Sequence, residues 1–134
     1  MTKKTYRILY IEDNLENRIL IKRFLSFEGF DVLLAENGQE GLDRADEVLP
    51  DLFLIDLNLP DMSGHEVVNR LIKRETTRTI PKVIFSAGSL QQVKENVPIG
   101  KPIFFLRKPV DIDKLADKLK FALHCPDNTK KFIL

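Results

Sequence analysis

The stretch LFLIDLNLPDMSG, residues 52–64, places the carboxylate of Asp56 directly after four apolar residues. A short, uninterrupted apolar run is typical of a strand that is covered on both faces. An ionised carboxylate buried among such residues destabilises the fold unless a partner or water compensates it. A position at the strand end resolves the conflict, because Asp56 can then reach a crevice while the preceding residues stay in the core. We therefore expect that Asp56 need not be buried.

Further apolar runs predict a sheet of five strands in which residues 52–55 form the third. The other predicted strands are residues 6–11, 31–35, 82–85 and 103–106. Helical spacing predicts helices at residues 14–28, 39–49, 63–74 and 111–123, and a weaker one at 89–97 that prolines make short or irregular. In the first helix, the pairs Leu20/Ile21 and Phe24/Leu25 indicate the inward face, and Gly29 is placed to stop it. Strict alternation of strand and helix predicts a parallel sheet with right-handed crossovers.

Composition restricts the class of protein. The chain has 134 residues, a common size for one domain, with 43% hydrophobic and 31% charged residues. A formal net charge of +1 offers no basic excess, so direct nucleic-acid binding is not expected. Cys125 is the one cysteine, and no apolar run is long enough to cross a bilayer. We therefore expect a cytoplasmic protein without a membrane segment.

Charged and polar side chains follow four of the five predicted strands. Glu12 and Asp13 follow the first, Asp56 the third, Ser86 the fourth and Lys108 the fifth. Because ligand sites in such sheets lie beyond the carboxyl ends of the strands, we expect these residues to converge. Two carboxylates at about 4 Å repel by about 4 kcal/mol at an effective dielectric of about 20, so a cation must be present or some acids stay protonated. Oxygen ligands without His or Cys favour Mg²⁺.

A Mg²⁺ site beside a carboxylate and a lysine is suited to phosphoryl transfer, in which cations neutralise the phosphoryl oxygens. Asp56 can be the nucleophile and form an aspartyl phosphate. Ser86 can bind one phosphoryl oxygen and Lys108 another, and the small Ala87 leaves room for the group.

Four motifs together identify the family that the chain resembles. YIEDN, LFLIDLNLPDMSG, FSAGS and FFLRKP occur in the order and at the spacings of the receiver domain of two-component response regulators. The resemblance covers residues 5–124, so we place a receiver domain at 1–124 and a C-terminal tail at 125–134. It implies an α/β, flavodoxin-like, doubly wound fold with a five-stranded parallel sheet in the order 2-1-3-4-5 and helices on both faces, an order for which a receiver-family protein is itself a standard illustration.

The resemblance also implies roles for single residues around the metal. Asp56 is the phosphoacceptor, and Asp13 and Asp56 ligate Mg²⁺ directly. The main-chain carbonyl of Asn58 is a third protein ligand, and Glu12 acts through water.

The resemblance further implies a switch. Ser86 takes the place of the switch Thr/Ser, and Lys108 is the phosphate-pairing lysine before Pro109, whose peptide bond is often cis in the family. Phe105 falls at the switch aromatic, although it can equally be a core residue. Phe105 lacks a phenolic hydroxyl, so such a switch uses ring burial alone.

Two apolar groups lie outside the predicted core. Leu15 and Ile19 do not join the inward face of the first helix and are either an exposed patch for a partner's helices or peripheral core. Phe132, Ile133 and Leu134 stand in the tail, where packing back on the domain is the simpler interpretation.

The sequence thus predicts a single-domain response regulator that accepts a phosphoryl group on Asp56 from a phosphohistidine, with Mg²⁺ as cofactor. Its expected partners are a sensor histidine kinase or a histidine phosphotransfer protein and an unknown downstream protein, and a homodimer is left open. One alternative is a receiver fragment of a hybrid kinase or phosphorelay. Another is a Mg²⁺-dependent phosphatase with an aspartyl-phosphate intermediate, although Asn58 stands where such enzymes usually carry a second acid.

Overall fold

The computed structural model describes residues 4–100, 102–126 and 129–134, in which strands and helices alternate along the chain. The strands are β1 (Arg7–Ile11), β2 (Asp31–Ala35), β3 (Leu52–Asp56), β4 (Lys82–Ser86) and β5 (Ile103–Arg107). The helices are α1 (Leu15–Phe27), α2 (Gly38–Val48), α3 (Gly64–Ile72), α4 (Leu90–Lys94) and α5 (Ile112–Leu123). The predicted elements are all present, with ends that coincide or differ by at most three residues.

The five strands form one parallel sheet in the order β2-β1-β3-β4-β5, which confirms the predicted topology. Alternate residues of the central strand β3 enter two different cores. Leu52 and Leu54 pack with residues of α1 and α5, whereas Phe53 and Ile55 pack with residues of α2, α3 and α4. All five positions of β3 are buried, as expected for a strand covered on both faces.

The first helix corrects one expectation about its inward face. The buried side chains of α1 are Arg18, Ile21 and Leu25, whereas Leu20 is 56% exposed. Positions 18, 21 and 25 repeat at the spacing of one helical stripe, and Leu20 lies outside this stripe. Gly29 follows the helix end with φ 98°, a conformation that glycine adopts without strain.

Helix α4 is short, as the prolines around it predict. It runs only from Leu90 to Lys94 and begins at a capping box, in which Ser89 and Gln92 exchange side-chain and main-chain hydrogen bonds. Among the described residues, no helix combines the length and the apolar character that crossing a bilayer requires.

The residues after α5 return to the sheet and pair with its edge. The N–H of Phe105 donates to the carbonyl of Phe132, and the N–H of Leu134 donates to the carbonyl of Phe105, both at 2.8 Å. Phe132 and Leu134 pack against the core that α1 and α5 share, and Lys118 donates to the main-chain oxygen of Leu134. Packing of these residues on the domain, the simpler of the two interpretations, is confirmed.

Lys82 is a buried cation at the start of β4, the opposite end of this strand from Ser86. Its Nζ donates to the main-chain carbonyls of Thr77, Arg78 and Ile80, in the loop between α3 and β4. Burial lowers the pKa of Lys82 to about 8. The side chain therefore fixes this loop by satisfying three carbonyls at once.

Replacing Lys82 with methionine is expected to lower the free energy of unfolding by about 2–3 kcal/mol, because carbonyls that Nζ now satisfies lose their donor. Urea denaturation followed by circular dichroism measures this loss. Lys73→Met, an exposed change at the end of α3, is the control and is expected to stay within about 0.5 kcal/mol. Equal stability of the Lys82 variant and the wild type would show that the three hydrogen bonds contribute nothing net.

Candidate functional site

Three carboxylates meet where β1 and β3 end. Glu12, Asp13 and Asp56 each contribute an oxygen to a group whose members lie within 4.8 Å of one another. Glu12 and Asp56 are buried and Asp13 is exposed. The convergence expected from the strand ends is therefore present, and Asp56 itself is buried, with 5% of its surface exposed.

Lys108 explains why buried carboxylates are tolerated here. It follows β5, and its Nζ lies 3.6 Å from Oδ2 of Asp56 and 4.0 Å from Oε2 of Glu12. The same ammonium lies over the ring of Phe85, 4.8 Å from its centre. The Lys108–Pro109 peptide bond is cis, and the N–H of Lys108 donates to the carbonyl of Ser86 at 2.8 Å. One partly exposed cation thus offsets part of the charge of the acids.

Glu12 is the buried acid of the cluster whose charged form its surroundings disfavour. Burial raises the pKa of Glu12 to about 7, and the neighbouring carboxylate of Asp56 raises it further, while the Asn17 amide acts in the opposite direction. Oε1 of Glu12 accepts from Nδ2 of Asn17 at 2.8 Å. Within the described ranges, the buried Oε2 accepts no hydrogen bond. An orphaned, buried carboxylate oxygen beside two more acids is suited to a hard divalent cation or its bound water.

Arg18 positions the main chain of the acid pair, and the sequence analysis missed it. Its Nη1 donates to the carbonyls of Glu12 and Asp13, both at 2.8 Å, and Nη2 lies 3.5 Å from Oε1 of Glu36. The signal that could have found it is its spacing from Ile21 and Leu25, which puts Arg18 on the buried stripe of α1.

Gly64 allows α3 to begin directly behind the site. A Cβ at this position would lie 2.4 Å from the carbonyl oxygen of Asp56. Because this oxygen belongs to the main chain, any residue other than glycine would clash with it. The N–H of Gly64 donates to the carbonyl of Leu57 at 2.9 Å. Asn58, which is exposed in this turn, donates its N–H to Oδ1 of Asp56 at 3.3 Å. The main-chain N–H of Asn58 in this turn therefore helps to orient the Asp56 carboxylate.

The two predicted switch residues are buried at neighbouring strands. Ser86 ends β4 at the rim of the sheet, and its Oγ accepts from the N–H of Gly88 at 3.0 Å. Phe105 lies in the core shared with α2, α3 and α4, and its main-chain groups bind the returning tail.

An apolar surface lies beside the site. Leu15 is 60% exposed and Ile19 is 47% exposed on α1, so they are not peripheral core. A groove of about 700 Å³ runs from the same helix to the start of α5, and its lining includes Leu20, Lys108 and Pro109. Lys108 thus connects the acid cluster with a groove beside the exposed apolar side chains of α1.

A parallel sheet of this order, with acids after β1 and β3 and a lysine after β5, defines the class of receiver domains. The family model described as response regulator receiver domain matches residues 8–120. The chain therefore belongs to this family of signalling domains from two-component systems.

Individual relatives agree with this assignment. The polar-differentiation response regulator DivK of Brucella anthropi is 30% identical over 116 residues, which are 87% of this chain and 94% of that protein. The receiver domain of a sensor histidine kinase from Pseudomonas aeruginosa PAO1, solved with magnesium coordinated in its active site cleft, has a TM-score of 0.80 and 27% identity, covering 90% of this chain and 98% of that one. The chemotaxis protein CheY4 of Vibrio cholerae, at 22% identity and a TM-score of 0.80, shares the fold and covers 89% of this chain and 99% of its own.

Proposed function

We propose that the chain is a response regulator whose Asp56 accepts a phosphoryl group from a phosphohistidine of a partner protein. The observation that carries this proposal is the cluster of Glu12, Asp13 and Asp56, with Nζ of Lys108 at 3.6 Å from Oδ2 of Asp56. A carboxylate beside an ammonium and two further acids is equipped to attack phosphorus and then to balance the charge of the product.

The same acids are the proposed holders of Mg²⁺. Asp13 and Asp56 would ligate the ion directly, the carbonyl of Asn58 would be a third ligand, and the orphaned Oε2 of Glu12 would bind a metal-bound water. When bound, the ion supplies neutralisation of phosphoryl oxygens. The magnesium-bound receiver domain from Pseudomonas aeruginosa, which is 27% identical, supports this choice of metal.

The transfer is a substitution at phosphorus. An Asp56 carboxylate oxygen forms the new O–P bond while the P–N bond to the histidine breaks, and the imidazole nitrogen keeps the electron pair of that bond. Lys108 is placed to pair with a phosphoryl oxygen, because its ammonium already contacts Asp56. Asn17 and Arg18 hold Glu12 and the main chain of the acid pair during this step.

The exposed surface of α1 is the proposed docking surface for the phosphodonor. Leu15, Ile19 and Leu20 present apolar side chains on this helix, and the groove of about 700 Å³ leads from Leu20 to Lys108. A sensor histidine kinase or a histidine phosphotransfer protein can contact this surface with helices while its histidine reaches Asp56. Because such partners act in the cytoplasm, we place the chain there.

The phosphoryl group adds about two negative charges at Asp56. Ser86 and Phe105 are the proposed switch residues, because they lie on β4 and β5 between the site and α4. The added charge attracts the Ser86 hydroxyl and shifts an existing equilibrium in the packing of Phe105. The output is binding of a downstream protein or of a second copy of the chain, rather than turnover of a substrate.

Intact mass spectrometry tests the proposal directly. With a small acyl-phosphate donor and Mg²⁺, the wild type is expected to gain the mass of one phosphoryl group, and Asp56→Asn is expected to gain none. A stoichiometric adduct in the Asp56→Asn variant would contradict the assignment of the acceptor. Removing Mg²⁺ with a chelator is expected to abolish the adduct, because the acids then repel the incoming phosphoryl oxygens.

Released phosphate, measured alongside the adduct, separates the phosphatase alternative from the receiver. A phosphatase would release phosphate continuously from many small substrates, and Asn58, which carries no acidic proton, argues against that activity. A receiver that belongs to a hybrid kinase would form the same adduct. The 27% identity to a receiver domain of a sensor histidine kinase supports this second candidate function. The complete reading frame decides between a single-domain regulator and a kinase receiver.

A further inference from the structure

Asp61 connects the loop between β3 and α3 to the first turn of α2. The loop comprises residues 57–63, and the side chain of Asp61 is exposed on it. Oδ1 of Asp61 accepts from the N–H of Gly38 at 2.8 Å, and Oδ2 accepts from the N–H of Gln39 at 2.9 Å. Each carboxylate oxygen therefore satisfies one of the main-chain donors that the start of a helix leaves free.

Helix α2 has its own cap and is fixed on the sheet without Asp61. Oδ1 of Asn37 accepts from the N–H of Glu40 at 2.8 Å, the usual arrangement of an N-cap residue. Gly41 is buried, and a Cβ there would lie 2.4 Å from Cδ1 of Ile11, so the helix lies directly on β1. The bonds of Asp61 therefore attach the loop to an element that is already held in place.

Close packing reinforces this connection. A Cβ on Gly38 would lie 2.5 Å from Cγ and 2.9 Å from Sδ of Met62, the residue that follows Asp61. Met62 therefore lies directly against the main chain at the start of α2. The loop and the helix meet through two hydrogen bonds and one apolar contact.

The same loop carries the proposed main-chain ligand of the metal. Asn58 and Ser63 form an isolated antiparallel bridge, and the N–H of Gly64 donates to the carbonyl of Leu57 at 2.9 Å. The loop is thus closed on itself by its own main chain. A displacement at Asp61 would therefore be passed on to Asn58.

The turn before α2 also contacts the side chain that orients the acid pair. Oε1 of Glu36 lies 3.5 Å from Nη2 of Arg18, whose Nη1 donates to the carbonyls of Glu12 and Asp13. Residues 36–39 therefore contact groups on both sides of the acid cluster, namely the acid pair after β1 and the loop after β3.

We infer that Asp61 is a positioning residue for the proposed Mg²⁺ site and that it fixes the carbonyl of Asn58 by attaching its loop to α2. The inference rests on the proposed function, in which this carbonyl is a metal ligand, and it adds a residue outside the predicted ligand set. Magnesium requires near-ideal octahedral geometry with ligands at about 2.0–2.1 Å, whereas Ca²⁺ accepts flexible geometries at about 2.3–2.6 Å. A displaced carbonyl therefore disfavours Mg²⁺ more than Ca²⁺.

Isothermal titration calorimetry of the full chain with MgCl₂ and, separately, with CaCl₂ tests the inference. Asp61→Ala is expected to weaken the binding of Mg²⁺ about tenfold and that of Ca²⁺ about twofold, so that the preference for Mg²⁺ falls about fivefold. The matched control is Asp51→Ala at the opposite end of β3, which removes the same charge and another acceptor of a main-chain N–H, that of Arg7 at 2.7 Å. The control is expected to leave the preference unchanged.

The ratio of the two affinities separates positioning from charge. Loss of a negative charge weakens the binding of both ions by the same factor, because both are divalent. An equal loss for the two ions in Asp61→Ala would therefore overturn the inference, and so would an unchanged affinity for Mg²⁺. Circular dichroism checks the fold, and Asp61→Asn, which keeps one acceptor oxygen, is expected to change the ratio in the same direction with less disturbance of the loop.

Failure of the proposed metal site gives a different result from failure of the inference. A wild type that binds neither ion would overturn the metal site and the inference with it. A wild type that binds Mg²⁺, with the same preference in Asp61→Ala, would overturn the role of Asp61 alone.

Discussion

Lys108→Ala is expected to form the phosphoryl adduct on Asp56 and yet to lose the conformational response to it. The ammonium of Lys108 contacts Asp56 and Glu12 from β5, so it is the group that can transmit a change of charge at β3 to the strand that carries Phe105. Without it, the phosphoryl group loses the ammonium that links it to the end of β5. The NMR shift of the Phe105 amide, measured before and after phosphorylation, should then change in the wild type only.

The same variant has a second expected effect on stability. Removing Lys108 leaves the carboxylates of Glu12 and Asp56 without their nearest cation, and breaking a fully buried pair costs about 3–5 kcal/mol. Because the Lys108 side chain is 26% exposed, we expect a smaller loss of about 1–3 kcal/mol in free energy of unfolding without metal. Added Mg²⁺ should restore part of this loss, since it replaces the missing positive charge.

Lys73→Ala, at the exposed end of α3, serves as the control for both measurements. A full set of amide shifts in phosphorylated Lys108→Ala would contradict the role of Lys108 in transmission. An unchanged unfolding curve in the metal-free variant would contradict its role in compensating the buried acids.

Arg18→Met is expected to lower the free energy of unfolding by about 2–4 kcal/mol. The guanidinium is buried and donates to the carbonyls of Glu12 and Asp13, and removing a charged donor leaves buried acceptors unsatisfied. Urea denaturation measures the loss. Arg70→Met is a matched control, because Arg70 makes an exposed ion pair with Glu66 on α3 and its loss is expected to cost no more than about 0.5 kcal/mol.

The Arg18 variant is also expected to form the phosphoryl adduct about tenfold more slowly under conditions where it is fully folded. Its loss frees the main chain that carries Glu12 and Asp13, and small displacements of positioning groups have large effects on rate. Initial rates of adduct formation, taken from the mass spectra, measure this effect. If folded Arg18→Met forms the adduct at the wild-type rate, Arg18 contributes to stability but not to the transfer.

The fold was predictable because apolar runs and helical spacing are both patterns of neighbouring residues. Apolar runs such as residues 52–55 specify buried strands, and their alternation with helical spacing leaves few topologies. The gathering of Glu12, Asp13, Asp56 and Lys108 followed from the same topology, since parallel strands end at one edge of the sheet.

The sequence did not predict the burial of several polar side chains. Arg18 and Lys82 are cations, and charged residues of a helix or a strand end are ordinarily exposed, yet main-chain carbonyls satisfy both in the interior. Asp56 is buried for a related reason, because Lys108 compensates it. Leu20 was misplaced in the opposite sense, since its apolar character suggested burial that its angular position on α1 excludes.

The pairing of the tail with β5 has a consequence for how molecules of this protein meet at high concentration. β5 lies at one end of the sheet order, and an unpaired edge strand is a template for strand addition by a neighbouring molecule. Phe105 stands at the middle of β5, and its N–H and carbonyl are already bonded to Phe132 and Leu134. Phe132 and Leu134 therefore occupy the main-chain groups of Phe105 that a neighbouring molecule would need, which disfavours strand addition at this edge.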